Sequence, residues 1–161
     1  MNGPATISFP LGNGLFNFRV VGVAVCQDKL LVHKTSSDQF WSLPGGRVDF
    51  FEATRETLLR EMMEETGLEA EVQELMWVSE NFFRYNDQDY HEIGFYYKMR
   101  VLPANFHDFV SLEEDADLLF HWHPLNELAA LSIYPEFITE ELIRNTSSVQ
   151  HIVTGYKDLH A

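Results

Sequence analysis

Three carboxylates crowd the end of the stretch "LLREMMEETG", Leu58 to Gly67: Glu61, Glu64 and Glu65. If the stretch is helical, their spacings of three and four residues put them on one face, where like charges repel by about 0.2–0.5 kcal/mol per pair. Helix polarity opposes them as well. A carboxylate in the last turn faces the negative end of the macrodipole at a cost of roughly 0.3–1 kcal/mol each, where Lys or Arg would stabilise. These residues alone leave two readings open. They form the solvated face of an acidic helix, or they are a site that waits for something positive.

Regular elements must hold them in place. The helix is expected from Ala53 to Thr66, with Gly67 as its stop because glycine accepts the left-handed conformation just past a helix end. Its start is weakly marked: Thr54 can cap, but no Glu or Gln follows three residues later. On a helical wheel Leu58, Leu59, Met62 and Met63 are read as one arc and the three acids as the opposite one, so one face packs on a sheet and the other is acidic. Upstream, "FNFRVVGVAVC", the turn "QD" and "KLLVHK" read as a two-stranded hairpin. Pro44-Gly45-Gly46 reads as a loop. Downstream, "EVQELMWVSENFFRY" and "YHEIGFYYKMRVL" are long strands joined through Asn86-Asp87-Gln88-Asp89, and "DLLFHWHP" is another strand. "LNELAAL" and "EFITEELIR" read as short helices and "QHIVT" as a last edge strand. Strands and helices interleave without strict βαβ spacing, which predicts an α/β chain of the α+β kind: a mixed β-sheet sandwiched between helices.

Length and composition bound the function. At 161 residues, with 45% hydrophobic and 14% aromatic residues, the chain reads as one domain over residues 1–161. A formal net charge of -14 argues against a nucleic-acid polymer as partner, since backbone binding needs a basic face to displace counterions. Small phosphates remain open to it through a divalent cation. Cys26 is the only cysteine, so no intrachain disulfide and no thiolate metal site can form, and the cytoplasm is the expected compartment. The N-terminal residues lack a basic segment followed by a long apolar core, and the apolar run near Val20 to Cys26 is too short to span a bilayer; no membrane association is expected.

Widened to Gly46–Leu68, the opening stretch reads "GRVDFFEATRETLLREMMEETGL". Gly46, five residues, Glu52, seven residues, Arg60-Glu61-Met62, one residue, Glu64-Glu65, one residue, Gly67-Leu68: this resembles the signature of the Nudix hydrolases at every specified position. "WSLPGG", "FRVVGVAV" and "LFHWHPLNEL" look like family context too, so the resemblance covers roughly residues 17 to 130. It implies the Nudix fold and hydrolysis of a nucleoside diphosphate linked to another group, with Mg2+ as cofactor or Mn2+ in its place. The cation that the acidic face lacked is thereby supplied, and hard carboxylate oxygens suit it.

By matching positions, the resemblance makes Glu61, Glu64 and Glu65 metal ligands, with Glu64 ranked first and the carbonyl of Gly45 as a further one. Arg60 and Glu52 form an ion pair that ties loop to helix, with Glu56 as a competitor four residues before Arg60. Attack on a diphosphate pits water against an anionic phosphorus centre, so catalysis is mostly positioning and charge neutralisation, which metal ions supply. Glu113, Glu114 and Asp115 in "SLEEDADL" are candidates for the general base, against the plain reading of a solvated acidic turn. One position departs from the family habit: Phe51 stands before the first box glutamate, where glycine is usual. Phenylalanine rarely tolerates positive φ, so the loop is expected to take a different path or to use Phe51 to cover the substrate.

Substrate choice lies outside the box. Phe82, Phe83, Tyr85, Tyr90, Phe95, Tyr96 and Tyr97 crowd one hairpin, where they can stack on a base, fill a sheet face or form a homodimer interface. Arg47, Arg84 and His91 are candidates to neutralise a distal phosphate. The proline tag of ADP-ribose pyrophosphatases is absent, because Phe83 and Arg84 stand there, whereas Tyr85 sits where dinucleoside polyphosphate hydrolases often carry a tyrosine. The alternative to an enzyme is a catalytically silent Nudix-fold module that binds a nucleotide or regulates. It has no need of the full acid set that this box retains.

Overall fold

The computed structural model describes residues 5–156. Its spine is strand β2, Gly14–Cys26, which follows the short strand β1, Ser8–Leu11. The run "VVGVA" within it is rich in β-branched residues and buried on both faces, as a central strand must be. β2 continues through a turn at Gln27-Asp28, both at positive φ, into β3, Lys29–Lys34. The expected hairpin is real but brief, pairing only Val25 with Leu30 and Cys26 with Lys29. Most of β2 runs parallel to β6, Gln88–Val101, from Gly14 opposite Asp89 to Ala24 opposite Met99. β1 and β4, Gly45–Arg47, add to β2 antiparallel.

β5, Ala70–Tyr85, returns antiparallel to β6 through a turn narrower than expected. Asn86 and Asp87 alone carry positive φ, and Gln88 and Asp89 already belong to the strand. β7, Phe109–Val110, and β8, Leu119–Pro124, extend the other side of the sheet beyond β3. The segment "LNELAA" is a 3-10 turn of helix rather than an α-helix. Helix α2, Phe137–Arg144, precedes β9, Gln150–Thr154, which pairs parallel with β5 as the expected edge strand. The short strands β1, β4 and β7 were not anticipated. Pro10 in β1 lacks a donor and is tolerated only because that strand lies off the main path of the sheet.

The sheet carries a packed core on each face. Helix α1, Thr54–Thr66, covers one, where Leu58 and Met62 meet Val20, Ala24, Tyr97 and Met99. The other face buries Val21, Val23, Trp77 and Tyr96 against Leu128, Ile133, Phe137 and Ile138. A mixed sheet between helices is therefore the architecture, as the sequence predicts.

Two local expectations are corrected. Leu59 and Met63 are 42% and 47% exposed, while Thr57, Leu58, Met62, Glu65 and Thr66 form the buried stripe of α1. At about 3.6 residues per turn, Glu65 falls beside Leu58 and Met62, not opposite them. Nor is Pro44-Gly45-Gly46 a free loop. Gly45 and Gly46 pair in register with Val21 and Val20. A Cβ on Gly45 would sit 2.1 Å from the Val20 carbonyl oxygen, so the glycines serve close approach rather than a turn.

Candidate functional site

The acidic end of α1 is built by its neighbours. Ala53 occupies the N-cap, and its N–H donates to the Glu56 carboxylate at 3.3 Å. Glu56 is thus committed to the helix start and does not compete for Arg60. At the other end Gly67 takes φ 68 and its N–H donates to Met63 O at 2.9 Å, closing the helix as expected. The Leu112 N–H donates to the Glu65 carbonyl at 2.8 Å. This bond ties the 111–117 loop across the helix end and brings the Glu113 charge to bear on Glu61 and Glu65.

Arg60 organises the acids. Its guanidinium donates to Glu52 at 3.0 and 3.1 Å, to Asp49 at 3.1 Å, to Glu61 at 3.1 Å and to Glu64 at 3.2 Å. Thr57 Oγ1 adds a 2.6 Å bond to Glu52. Arg60 holds the Glu52 carboxyl below the usual carboxylate range, and Glu52 in turn raises the guanidinium's already high pKa. The Arg60–Glu52 pair expected from the box is present, and Asp49, which the sequence reading omitted, joins it.

Glu65 is the strained member. Burial first, and then the negative charge of Glu61, push its carboxyl up to about 8. Its Oε2 is buried without a hydrogen-bond partner. Burial likewise raises Glu61, against the opposing pull of Arg60. Glu64 is 46% exposed and rests on Arg60. Among the described residues no three acid, His or Cys side chains converge on one metal position as they stand, because Arg60 holds oxygens of both Glu61 and Glu64. The donor set nevertheless fits a hard divalent cation: two raised carboxyls side by side, one with an unsatisfied oxygen.

Two cavities meet here. The first, about 480 Å³, is an open groove lined by Gly45, Gly46, Asp49, Arg60, Glu61 and Glu65 with Thr6 and Ser8. The second, about 290 Å³, lies against the opposite core and is lined by Phe40, Phe83, Tyr85, Tyr90, Tyr96 and Tyr134, with Asn17, His33, Asp38, Arg84 and Glu92 among them. Arg19 and Arg47 line both.

The structure therefore gathers some candidates and leaves others apart. Glu61, Glu65, Arg60 and Gly45 share the groove, while Glu52 and Glu64 lie behind it on Arg60. Of Glu113, Glu114 and Asp115, all exposed, Glu113 alone acts on the groove's acids. Arg47, Arg84 and Tyr85 line the aromatic cavity; Arg84 is already bound to Asp89 at 2.9 Å and Tyr85 Oη to Asp38 at 2.9 Å. His91 does not reach either cavity. Strand alternation turns it to the other face of β6, where it packs between Phe82 and Phe16. Phe51 also lines neither, standing 95% exposed with its ring 4.3 Å from that of Phe50. Its φ is 65, so the loop keeps the left-handed turn that a glycine would take and does not leave that path.

Sequence reasoning missed Arg19, Asn17, His33 and Glu92. A signal existed for two of them. Arg19 interrupts the apolar run "FNFRVVGVAV" and Glu92 interrupts "YHEIGFYY", each a lone charge on a central strand.

Comparison with known proteins agrees with this architecture. The chain is 36% identical to an RNA pyrophosphohydrolase of Ruthia magnifica subsp. Calyptogena magnifica over 73 residues, 44% of this chain and 41% of that protein. It is 38% identical to a MutT-like protein of Streptomyces ambofaciens over 71 residues, 44% of this chain and 46% of that one. Each match spans less than half the relative's length. The MutT protein from Methanosarcina mazei Go1 shares the fold, with a TM-score of 0.60 at 19% identity over 86% of this chain and 100% of that one. The NUDIX domain itself matches residues 17–142, from β2 through most of α2 and across the groove except for Thr6 and Ser8, and the chain belongs to that family.

Proposed function

We propose that this protein is a Mg2+-dependent diphosphatase, with Mn2+ able to substitute, that hydrolyses a phosphoanhydride in a nucleoside diphosphate linked to another group. The observation that carries the reading is the pair Glu61 and Glu65 in the groove, one with an orphaned oxygen and both raised by burial, beside an Arg60–Glu52 clamp. The names of the relatives support it: an RNA pyrophosphohydrolase in one case, a MutT-like protein in the other. Glu61, Glu64 and Glu65, with the Gly45 carbonyl, are the groups that would hold the cation. Bound there, it would polarise phosphoryl oxygens and acidify the attacking water.

The chain's own residues do the rest. Arg60 keeps Glu61 and Glu64 at the helix surface and anchors the preceding loop through Glu52 and Asp49. Of the acidic loop, Glu113 is the residue proposed to take a proton from the attacking water, since its charge alone acts on Glu61 and Glu65. The described strands all belong to one sheet, including β1 and β9 outside the family match, which supports a single domain over residues 1–161. The −14 charge favours a small nucleotide over a polymer. Among the described residues no helix is long and apolar enough to cross a membrane.

The test is product release from nucleoside triphosphates, ADP-ribose, nucleotide sugars and dinucleoside polyphosphates, with Mg2+ and with chelator, in wild type and Glu64→Gln. Metal-dependent turnover that falls about 100-fold or more in the variant, with the fold retained, is expected. Undiminished turnover in Glu64→Gln would refute the site. Nucleotide binding without turnover anywhere in the panel would favour the silent module.

A further inference from the structure

Arg19 on β2 and Arg47 on β4 are direct cross-strand partners, and both line both cavities. Like charges placed opposite one another on a sheet are destabilising unless something lies between them. Acids are plentiful in this chain, 25 Asp and Glu against 11 Lys and Arg. The other arginines use them or a carbonyl: Arg55 with Val72 O, Arg60 with its four acids, Arg84 with Asp89, Arg100 with Glu71 and Arg144 with Glu141. Among the described residues neither the Arg19 nor the Arg47 guanidinium has a hydrogen bond or an ion pair within 4.0 Å, and only longer-range attraction to Glu65 and Glu92 reaches them. Two uncommitted guanidiniums at the junction of two cavities call for an anion. The planar fork of arginine matches phosphate oxygens two at a time.

The order of surfaces identifies the rest of the ligand. On one side of the pair lies the aromatic cavity, where Tyr134 meets Phe40 in a tilted contact at 5.5 Å and Phe83 edge-on at 5.6 Å. At about 290 Å³ it suits one ring system with its sugar rather than an extended chain. Buried Asn17 and Glu92 line the same cavity: the Asn17 amide accepts from the Ser8 hydroxyl at Oδ1 at 2.6 Å and donates to the Glu92 carboxylate at 3.5 Å, which leaves its second N–H and the other Glu92 oxygen to meet a ring. On the other side lie Glu61 and Glu65.

We infer that Arg19 and Arg47 jointly bind the phosphate of a nucleoside monophosphate unit whose ring fills the aromatic cavity, so that the next anhydride of the substrate lies over Glu61 and Glu65. The inference rests on the groove being the hydrolytic site. It fixes the polarity of the substrate and therefore the product. One water adds its oxygen across the anhydride, the bridging P–O bond breaks, and its protons go to the products or to solvent. The nucleoside monophosphate is released from the arginine side, and the remainder leaves as a phosphate or pyrophosphate.

Binding of AMP, GMP, CMP and UMP to the full chain, measured by calorimetry and thermal shift in chelator, tests this without turnover. At least one monophosphate should bind and raise the melting temperature, with inorganic phosphate and the free nucleoside each at least about 10-fold weaker. Arg19→Gln and Arg47→Gln should each weaken that monophosphate by about 10-fold to 100-fold. Because each variant removes a like-charge contact, its ligand-free melting temperature should hold or rise, so lost binding cannot be ascribed to unfolding. With Mg2+ the same variants should raise KM more than they lower kcat. Monophosphate binding that is absent, or indifferent to both substitutions, overturns the inference even where wild type hydrolyses nucleotides. Arginine-dependent binding with no hydrolysis of any substrate upholds it and removes the hydrolase reading instead.

Discussion

His33 gives a quantitative test of the cavity floor. It is 9% exposed, its Nε2–H donates to the Leu43 carbonyl at 3.0 Å, and its Nδ1 is buried with no partner. A proton added at Nδ1 would bury a charge and a donor with nothing to accept it, close to the Arg19 cation. Burial, with Arg19 second, accordingly holds the imidazole down to about 4 from an ordinary 6.5. In the unfolded chain His33 takes up its proton as pH falls through 6.5; in the folded chain it does not until about 4. Between these values the unfolded state binds more protons, so stability is complete above 6.5 and falls as the pH drops. The gap of 2.5 pKa units, 6.5 less 4, at about 1.36 kcal/mol each, amounts to roughly 3 kcal/mol. Denaturant unfolding from pH 7 to pH 4 should show wild type losing that much more than His33→Gln, which cannot titrate. Subtracting the two profiles removes the other titrating acids. If they run parallel, or if NMR puts the His33 midpoint near 6.5, the floor is open to water and the description of this cavity is wrong.

Two backbone predictions follow from the loop that leads into α1. A Cβ on Gly45 meets the Val20 carbonyl at 2.1 Å, whereas one on Gly46 meets the Glu61 carboxyl carbon at 2.5 Å, the end of a flexible side chain. Gly45→Ala should therefore lose about 1–3 kcal/mol of stability in denaturant, while Gly46→Ala should stay folded and lose metal-dependent turnover through a displaced Glu61; equal stability losses would contradict the two contacts. At Phe51, φ 65 makes glycine the better fit, so Phe51→Gly should exceed Phe51→Ala in stability by about 1 kcal/mol. The reverse order would mean that the loop is not left-handed there.

How far the sequence could be read depended on whether a feature repeats along the chain or arises between strands. Gly67 and the two long strands of β5 and β6 obey local rules, and each stands where its residues predicted; the Glu52–Arg60 pair, implied by the family resemblance, is present as well. The face of α1 was misread because Leu59 and Met63 were assigned to the core by type, although the period places Glu65 nearer to Leu58 and Met62. That misplacement matters, since a glutamate on the buried stripe is what raises its carboxyl and leaves an oxygen unsatisfied. A second kind of miss has no local signature at all. Arg19 and Arg47 are 28 residues apart and become neighbours only because Gly45-Gly46, read as a loop, forms a strand on β2. The same register brings Asn17 and Glu92 together across the parallel pairing of β2 with β6. A lone charge inside an apolar central strand is the one clue such a site leaves in a sequence, because burying a charge is costly unless something answers it. For half-buried Arg19 only longer-range attraction to Glu65 and Glu92 does so, and the anion inferred on the seam between the aromatic cavity and the acids would supply the direct partner.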